Sequence, residues 1–156
     1  MAETTVRKVH HVVVFVADMD RALYLFQDIL GFERSWHAPM VKGNRMATLL
    51  GIPNVKMEMA CLQNGSDDVA VELCRMINPA VQSEFSNFGS PGSSSLSLEV
   101  ENLDQLHHRL AQEGWPPFSP CLDMRDPEGH PVRLFCFFLE KGMVVELIER
   151  PKAEIS

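Results

Sequence analysis

After a short polar lead the chain alternates. In "HHVVVFV", His11, Val13 and Phe15 fall on one side of an extended strand, and His10, Val12, Val14 and Val16 on the other. The period then lengthens to that of a helix. Met19, Ala22, Leu23, Phe26, Ile29 and Leu30 recur at helical spacing behind Asp18, a residue suited to N-capping, and Gly31 stands where the helix should stop. "GFERSWHAP" predicts a second strand, and "GNRMATLLGIP" a short helix bounded by glycines and closed by Pro53. "VKMEMACLQ" and "VAVELCRM" predict two more strands, joined through "NGSDD" as a hairpin. The first half runs β-α-β-(short helix)-β-β.

Residues 77–93, "INPAVQSEFSNFGSPGS", keep no period and predict a linker. The earlier order then returns. "SSLSLEVENLDQLHHRLAQEGW" predicts a strand and a helix, with Val100 and Asp104 at a shift of 84 from Val16 and Asp20. Asn102 is the candidate cap, Leu103, Leu106 and Leu110 the apolar stripe, and Gly114 the stop. "FSPCLDM" predicts a strand, "RDPEGHP" a turn, and "VRLFCFFLE" and "MVVELIER" two strands joined at "KG". Both closing strands, "VAVELCR" and "MVVELIER", contain Val-Glu-Leu.

An internal repeat of this kind outweighs any single propensity. It predicts an α+β fold of two βαβββ modules, forming a paired, curved eight-stranded mixed sheet around a cleft. The expected organisation is one domain over 1–156: module one about 8–76, the linker, and module two about 94–150. Each helix must cover one face of its sheet, which leaves the other face to line the cleft. Polar side chains on that second face need partners.

Two such side chains are Glu72 and Glu146. Each is flanked along its strand by apolar residues that alternation sends to the opposite face, Val71 and Leu73 or Val145 and Leu147. A lone carboxylate on a semi-apolar wall requires a cation, a donor or a proton. The plainer alternative makes both of them solvent-facing glutamates on edge strands, and His11 a half-buried strand histidine. One imidazole and two carboxylates would suit a divalent ion with positions open for water and substrate.

Charge and composition narrow the partners. Lys and Arg number 14 against 21 Asp and Glu, a net charge of −7, which argues against nucleic acid. No apolar run approaches the length of a membrane span, and "MAETTVRKV" carries no secretory signal. Cys61, Cys74, Cys121 and Cys136 form no CxxC pair and read as reduced thiols, so the expected location is cytoplasmic. There is no GxSxG elbow and no phosphate loop, because "GSPGSSS" lacks the Lys-Ser/Thr ending. His107 and His108 fall on the second helix, where neighbours diverge, and His130 belongs to the "DPEGH" turn. Trp36, His37 and Ser95 are candidate substrate contacts.

"HHVVVFVADMDRALYLFQDILGF", the two Val-Glu-Leu strands and "RDPEGHPVRLF" resemble the vicinal oxygen chelate superfamily. It includes glyoxalase I, methylmalonyl-CoA epimerase, extradiol dioxygenases and the bleomycin-resistance proteins. The resemblance spans about residues 8–149, and "LLGIPNVKMEMACLQ" with "VELCRMINP" is most similar to the glyoxalase I and epimerase-like branch. In metal-dependent members the ligands come from the first and last strands of each module. The resemblance therefore implies His11, Glu72 and Glu146 as ligands of Zn, Ni, Co, Fe or Mn. Ser95 stands at the fourth place, where the family carries histidine or another strong ligand.

The implied activity is that of a lyase or isomerase, with Glu146 or Glu72 as base, stabilising the enolate of a small carbonyl or thioester substrate. A homodimer is implied as well. Lys42, Arg45 and Lys56 are the cations near the expected rim, too few to single out an acyl-CoA or a glutathione conjugate. Two rival readings stand beside it. A metal-free protein of the bleomycin-resistance type would sequester an aromatic ligand by stacking on Trp36, Phe15, Phe135 and Phe137. An extradiol dioxygenase would need a second histidine in place of Ser95.

Overall fold

The structure, a computed structural model, describes residues 5–65, 68–81 and 87–152. Parts of the predicted "NGSDD" connection (66–67) and of the predicted linker (82–86) lie outside the described residues. The chain divides into two compact units, residues 1–83 and 84–156.

In the first unit, β1 (His11–Phe15) leads into α1 (Met19–Leu23), whose winding widens to a π-helix over Tyr24–Ile29. Then come β2 (Glu33–Lys42), α2 (Asn44–Leu50), β3 (Lys56–Gln63) and β4 (Ala70–Asn78). The strands form one mixed sheet in the order β1-β4-β3-β2, with β1 parallel to β4 and the other pairs antiparallel. Asp18 caps α1 as expected, its carboxylate accepting from Arg21 N–H at 3.0 Å. Gly31, at φ +78°, ends the helical run in a backbone region that favours glycine. Val14 of β1 and Val16 just after it turn inward and are buried with Leu25, Phe26, Leu62 and Leu73, while Val12 at the start of the strand stays exposed. Phe26 meets Phe32 edge to face at 5.4 Å.

The second unit repeats the plan with β5 (Ser94–Glu99), α3 (Leu103–Gln112), β6 (Leu122–Arg125), β7 (Pro131–Glu140) and β8 (Met143–Glu149). Its sheet runs β5-β8-β7-β6, with β5 parallel to β8. Leu103, Leu110, Trp115, Phe135, Phe137, Val145 and Leu147 make its core. The backbone also repeats: Val16 N–H donates to Cys74 C=O at 2.9 Å, and Val100 N–H to Ile148 C=O at 2.8 Å. The α+β class and the two four-stranded modules are as the repeat predicts.

Two expectations of detail change. Asn102 does not cap α3 with its side chain. It adopts the left-handed conformation at φ +61°, and its carbonyl takes the N–H groups of Gln105 and Leu106. The capping carboxylate comes from another strand: Glu149 Oε1 accepts from Leu103 N–H at 3.2 Å. The predicted strand "FSPCLDM" begins only at Leu122, opposite Leu134; Pro120 just before it has no N–H to give to the ladder.

Candidate functional site

Register places each acid in the interior of its sheet, which removes the edge-strand alternative. Glu72 lies on β4 between Val13 of β1 and Cys61 of β3, and Trp36 of β2 stands opposite Cys61 in the same row. Glu146 lies on β8 between Ser97 of β5 and Cys136 of β7. The two acids are thus equivalent in register as well as in sequence, and each faces a cysteine across the antiparallel ladder.

Their surroundings differ in one respect. Glu146 receives the Ser97 hydroxyl at 2.7 Å. Glu72, 13% exposed, has no donor among the described residues closer than 3.9 Å, where both the Cys74 thiol and Nε2 of His11 lie. The Cys74 proton is firmly held. Burial pushes that thiol up to about 12, and the charge and hydrogen bond of Glu72 add to it. Cys136 is raised for the same reasons, burial first and then the charge of Glu146. Neither thiol is a nucleophile at neutral pH.

The structure brings His11 to Glu72 and leaves Ser95 exposed opposite Val144. Trp36, 42% exposed, shares the face of Glu72, as does Phe15 at 50%. His37 does not. It stands opposite Ala60 on the helix-covered face, where Nε2 lies 2.8 Å from Oε1 of Glu58. Adjacent strand residues point to opposite faces, so Trp36 and His37 cannot serve one site on this sheet.

Glu58 was not among the residues singled out from the sequence, yet it is the buried acid of the first unit, 8% exposed. Arg75 Nε donates to its other oxygen at 2.8 Å. Burial raises its pKa, but the hydrogen bonds and charges of His37 and Arg75 outweigh this and hold the carboxyl below its ordinary range. The second unit inverts the pair: Arg133 occupies the register place of Glu58, and Glu149 that of Arg75. Arg133 there forms a fork with Asp104, 2.9 Å to each oxygen. Asp104 and Glu149 tie α3 to its sheet, whereas Glu58 links β2, β3 and β4 to one another. A sequence signal existed in Glu58 interrupting the apolar run of β3, but its partner could be read only from register.

Phe135 and Phe137, expected as stacking residues, are core residues instead. They are 1% and 0% exposed in the core, and the ring of Phe135 meets His107 edge to face at 4.9 Å. Nε2 of His107 lies 2.8 Å from Ser119 C=O and so acts as the donor. Among the described residues, the group of three metal-ligand types gathered within 4.8 Å is Asp126, Glu128 and His130. Its bonds are those of the predicted turn, with Asp126 Oδ1 accepting from the backbone N–H groups of Glu128 and His130.

The fold has known counterparts. The glyoxalase family protein of Bacillus cereus is 20% identical with a TM-score of 0.82, over 96% of this chain and 97% of that one. The trypanothione-dependent glyoxalase I of Leishmania major is 16% identical with a TM-score of 0.57, over 92% and 87%. A superfamily member from Sphaerobacter thermophilus is 23% identical with a TM-score of 0.55, over 93% and 98%. At these identities the likeness is one of fold. No curated protein matches the sequence. The family model described as Glyoxalase/Bleomycin resistance protein/Dioxygenase superfamily matches residues 10–126, most of the chain. The chain belongs to that superfamily.

Proposed function

We propose that the protein is a metal-dependent lyase or isomerase of the glyoxalase I or methylmalonyl-CoA epimerase kind, with His11, Glu72 and Glu146 as the residues that hold the ion. The observation that carries this reading is the state of Glu72. It is a nearly buried carboxylate without a close donor, 3.9 Å from an imidazole nitrogen. Ion-to-ligand distances are about 2.0–2.2 Å for zinc with histidine nitrogen and carboxylate oxygen. One ion fits between two atoms spaced as these are, and a nitrogen with a carboxylate oxygen is a donor set that suits it.

A divalent ion held there would polarise a carbonyl oxygen and make the neighbouring C–H more acidic. The chain supplies the proton handling. Glu146 has one oxygen occupied by the Ser97 hydroxyl and its other oxygen without a hydrogen bond among the described residues, so it is the carboxylate assigned to join the ion or take the proton. Val13, Phe15 and Trp36 give the face around Glu72 exposed apolar side chains on which the carbon skeleton of a substrate would pack. A homodimer and a cytoplasmic location belong to the same reading, the latter supported by four unpaired cysteines. No helix among the described residues is long and apolar enough to cross a membrane.

The second reading is a binding protein without a metal, favoured by the exposure of Trp36 and Phe15 on one face. Solvent deuterium separates the two. Incubated in D2O with a 2-oxo compound or an acyl thioester and a divalent ion, the enzyme incorporates deuterium beside the carbonyl, and a Glu146→Gln variant does not. A protein that exchanges nothing, but binds a planar aromatic molecule without any ion, supports the second reading instead.

A further inference from the structure

His11 has a second ring nitrogen. Its Nδ1 lies 2.7 Å from Nδ1 of His10, and the two rings meet edge to face, 5.0 Å apart at 81°. Within a strand, neighbouring side chains diverge. His10 comes just before the paired stretch of β1 begins at His11, which lets the two rings turn toward each other.

Two imidazole nitrogens at this distance must share one proton, since two lone pairs repel and so do two N–H groups. Either ring can be the donor, and the choice decides what His11 presents to Glu72. If His10 donates, neutral His11 carries its own proton on Nε2 and offers no lone pair there. If His11 donates from Nδ1, its Nε2 is bare on the side where Glu72 Oε2 lies 3.9 Å away.

We propose that His10 is a positioning residue: its Nδ1 accepts the Nδ1–H of His11 and so keeps the Nε2 lone pair of His11 available, beside Glu72, for a divalent ion. The proposal rests on the metal role given above to His11 and Glu72. Its physical basis is general. A metal-binding imidazole usually donates its other N–H to a fixed acceptor, which sets the tautomer and the ring orientation. Here the neighbouring histidine is that acceptor, and among the described residues no carboxylate or backbone carbonyl bonds to that nitrogen.

Zinc titration by calorimetry, on the full chain, tests this together with long-range proton–nitrogen correlation spectra of the histidine rings. His10→Ala is expected to weaken zinc binding roughly 10- to 100-fold. His10→Asn, whose Oδ1 can accept the same N–H, should recover most of it, while His108→Ala on the exposed side of α3 changes nothing. The spectra of the zinc-loaded native protein should show His11 protonated at Nδ1. Zinc bound as tightly by His10→Ala as by the native chain overturns the proposal. If the native chain takes up no zinc, the metal reading fails on its own account. The zinc-free spectra then decide the contact: an identical His11 tautomer with and without His10 overturns it.

Discussion

Glu72 stands directly opposite Cys61 across the β3–β4 ladder, with the Cys74 thiol 3.9 Å from its carboxylate on the same strand. Two sulfur side chains therefore border an acid that no close cation or strong donor satisfies within its sheet. Cys74 is 1% exposed, and its thiol is pushed up to about 12. It should resist iodoacetamide in the folded protein at pH 8 and be alkylated only after unfolding. Peptide mass spectrometry of the labelled protein reads this directly, and modification of Cys74 in the native state would contradict the burial of that thiol.

Glu58 gives the pH prediction. Its carboxyl is held below the ordinary 4.5 in the folded chain by His37 and Arg75, against the opposing effect of burial. A depressed folded value means stability that is present above the unfolded value and lost as pH falls through the folded one. Urea unfolding should therefore show a decline below about pH 4.5 that is shallower in Glu58→Gln. At neutral pH the same variant should be less stable by about 1–3 kcal/mol, because Arg75 and His37 lose a charged partner. An unchanged pH profile would show that the pair does not carry this dependence.

The organisation of the fold was legible where local chemistry and period agreed. Asp18 and Gly31 bracket the first helix, Val-Glu-Leu closes each half, and the shift of 84 aligns Val16 with Val100. What depended on a distant partner was not legible. Glu58 acquires its role from Arg75, and the cap of α3 comes from Glu149, 46 residues away. Phe135 and Phe137 could be put on either face by alternation, and only the packing of α3 resolves which. The acids of the candidate site could be read because the repeat marks them twice, whereas His10 could not, since strand alternation sends it away from His11.

Core and site aromatics should separate cleanly in stability. Phe135, 1% exposed beneath His107, should cost about 3–5 kcal/mol when replaced by Ala. Trp36, 42% exposed, should change stability by only about 0.5 kcal/mol on the same replacement. Equal losses in urea melts of the two variants would place Trp36 in the core rather than on an open face.

Asn102 offers a test of backbone strain. Because it sits at φ +61° without a side-chain capping bond, Asn102→Gly should be tolerated, whereas Asn102→Ala should cost about 1 kcal/mol. Glu149→Ala should cost about 1–2 kcal/mol, since it leaves Leu103 N–H without its acceptor. If Asn102→Gly proves the worst of the three, the side chain has a role that this geometry does not give it.

Ser97 should matter to catalysis more than to folding. Its hydroxyl is 2.7 Å from Glu146 Oε1. Ser97→Ala should slow deuterium exchange into substrate roughly tenfold, the effect of one hydrogen bond to a charged group, with Ser97→Thr restoring it. An exchange rate indifferent to Ser97 would remove Glu146 from the proton transfer.

The claim on which the functional reading turns is that His11 and Glu72 form a cradle for a divalent ion. Metal analysis of the protein purified without chelators tests it most directly. The expected result is about one tightly held ion per chain, lost in His11→Ala and in Glu72→Gln and retained in His37→Ala, whose ring belongs to Glu58 on the other face. A native protein that holds no ion and takes up none from excess zinc, nickel or manganese, or one whose ion survives the loss of Glu72, would contradict it.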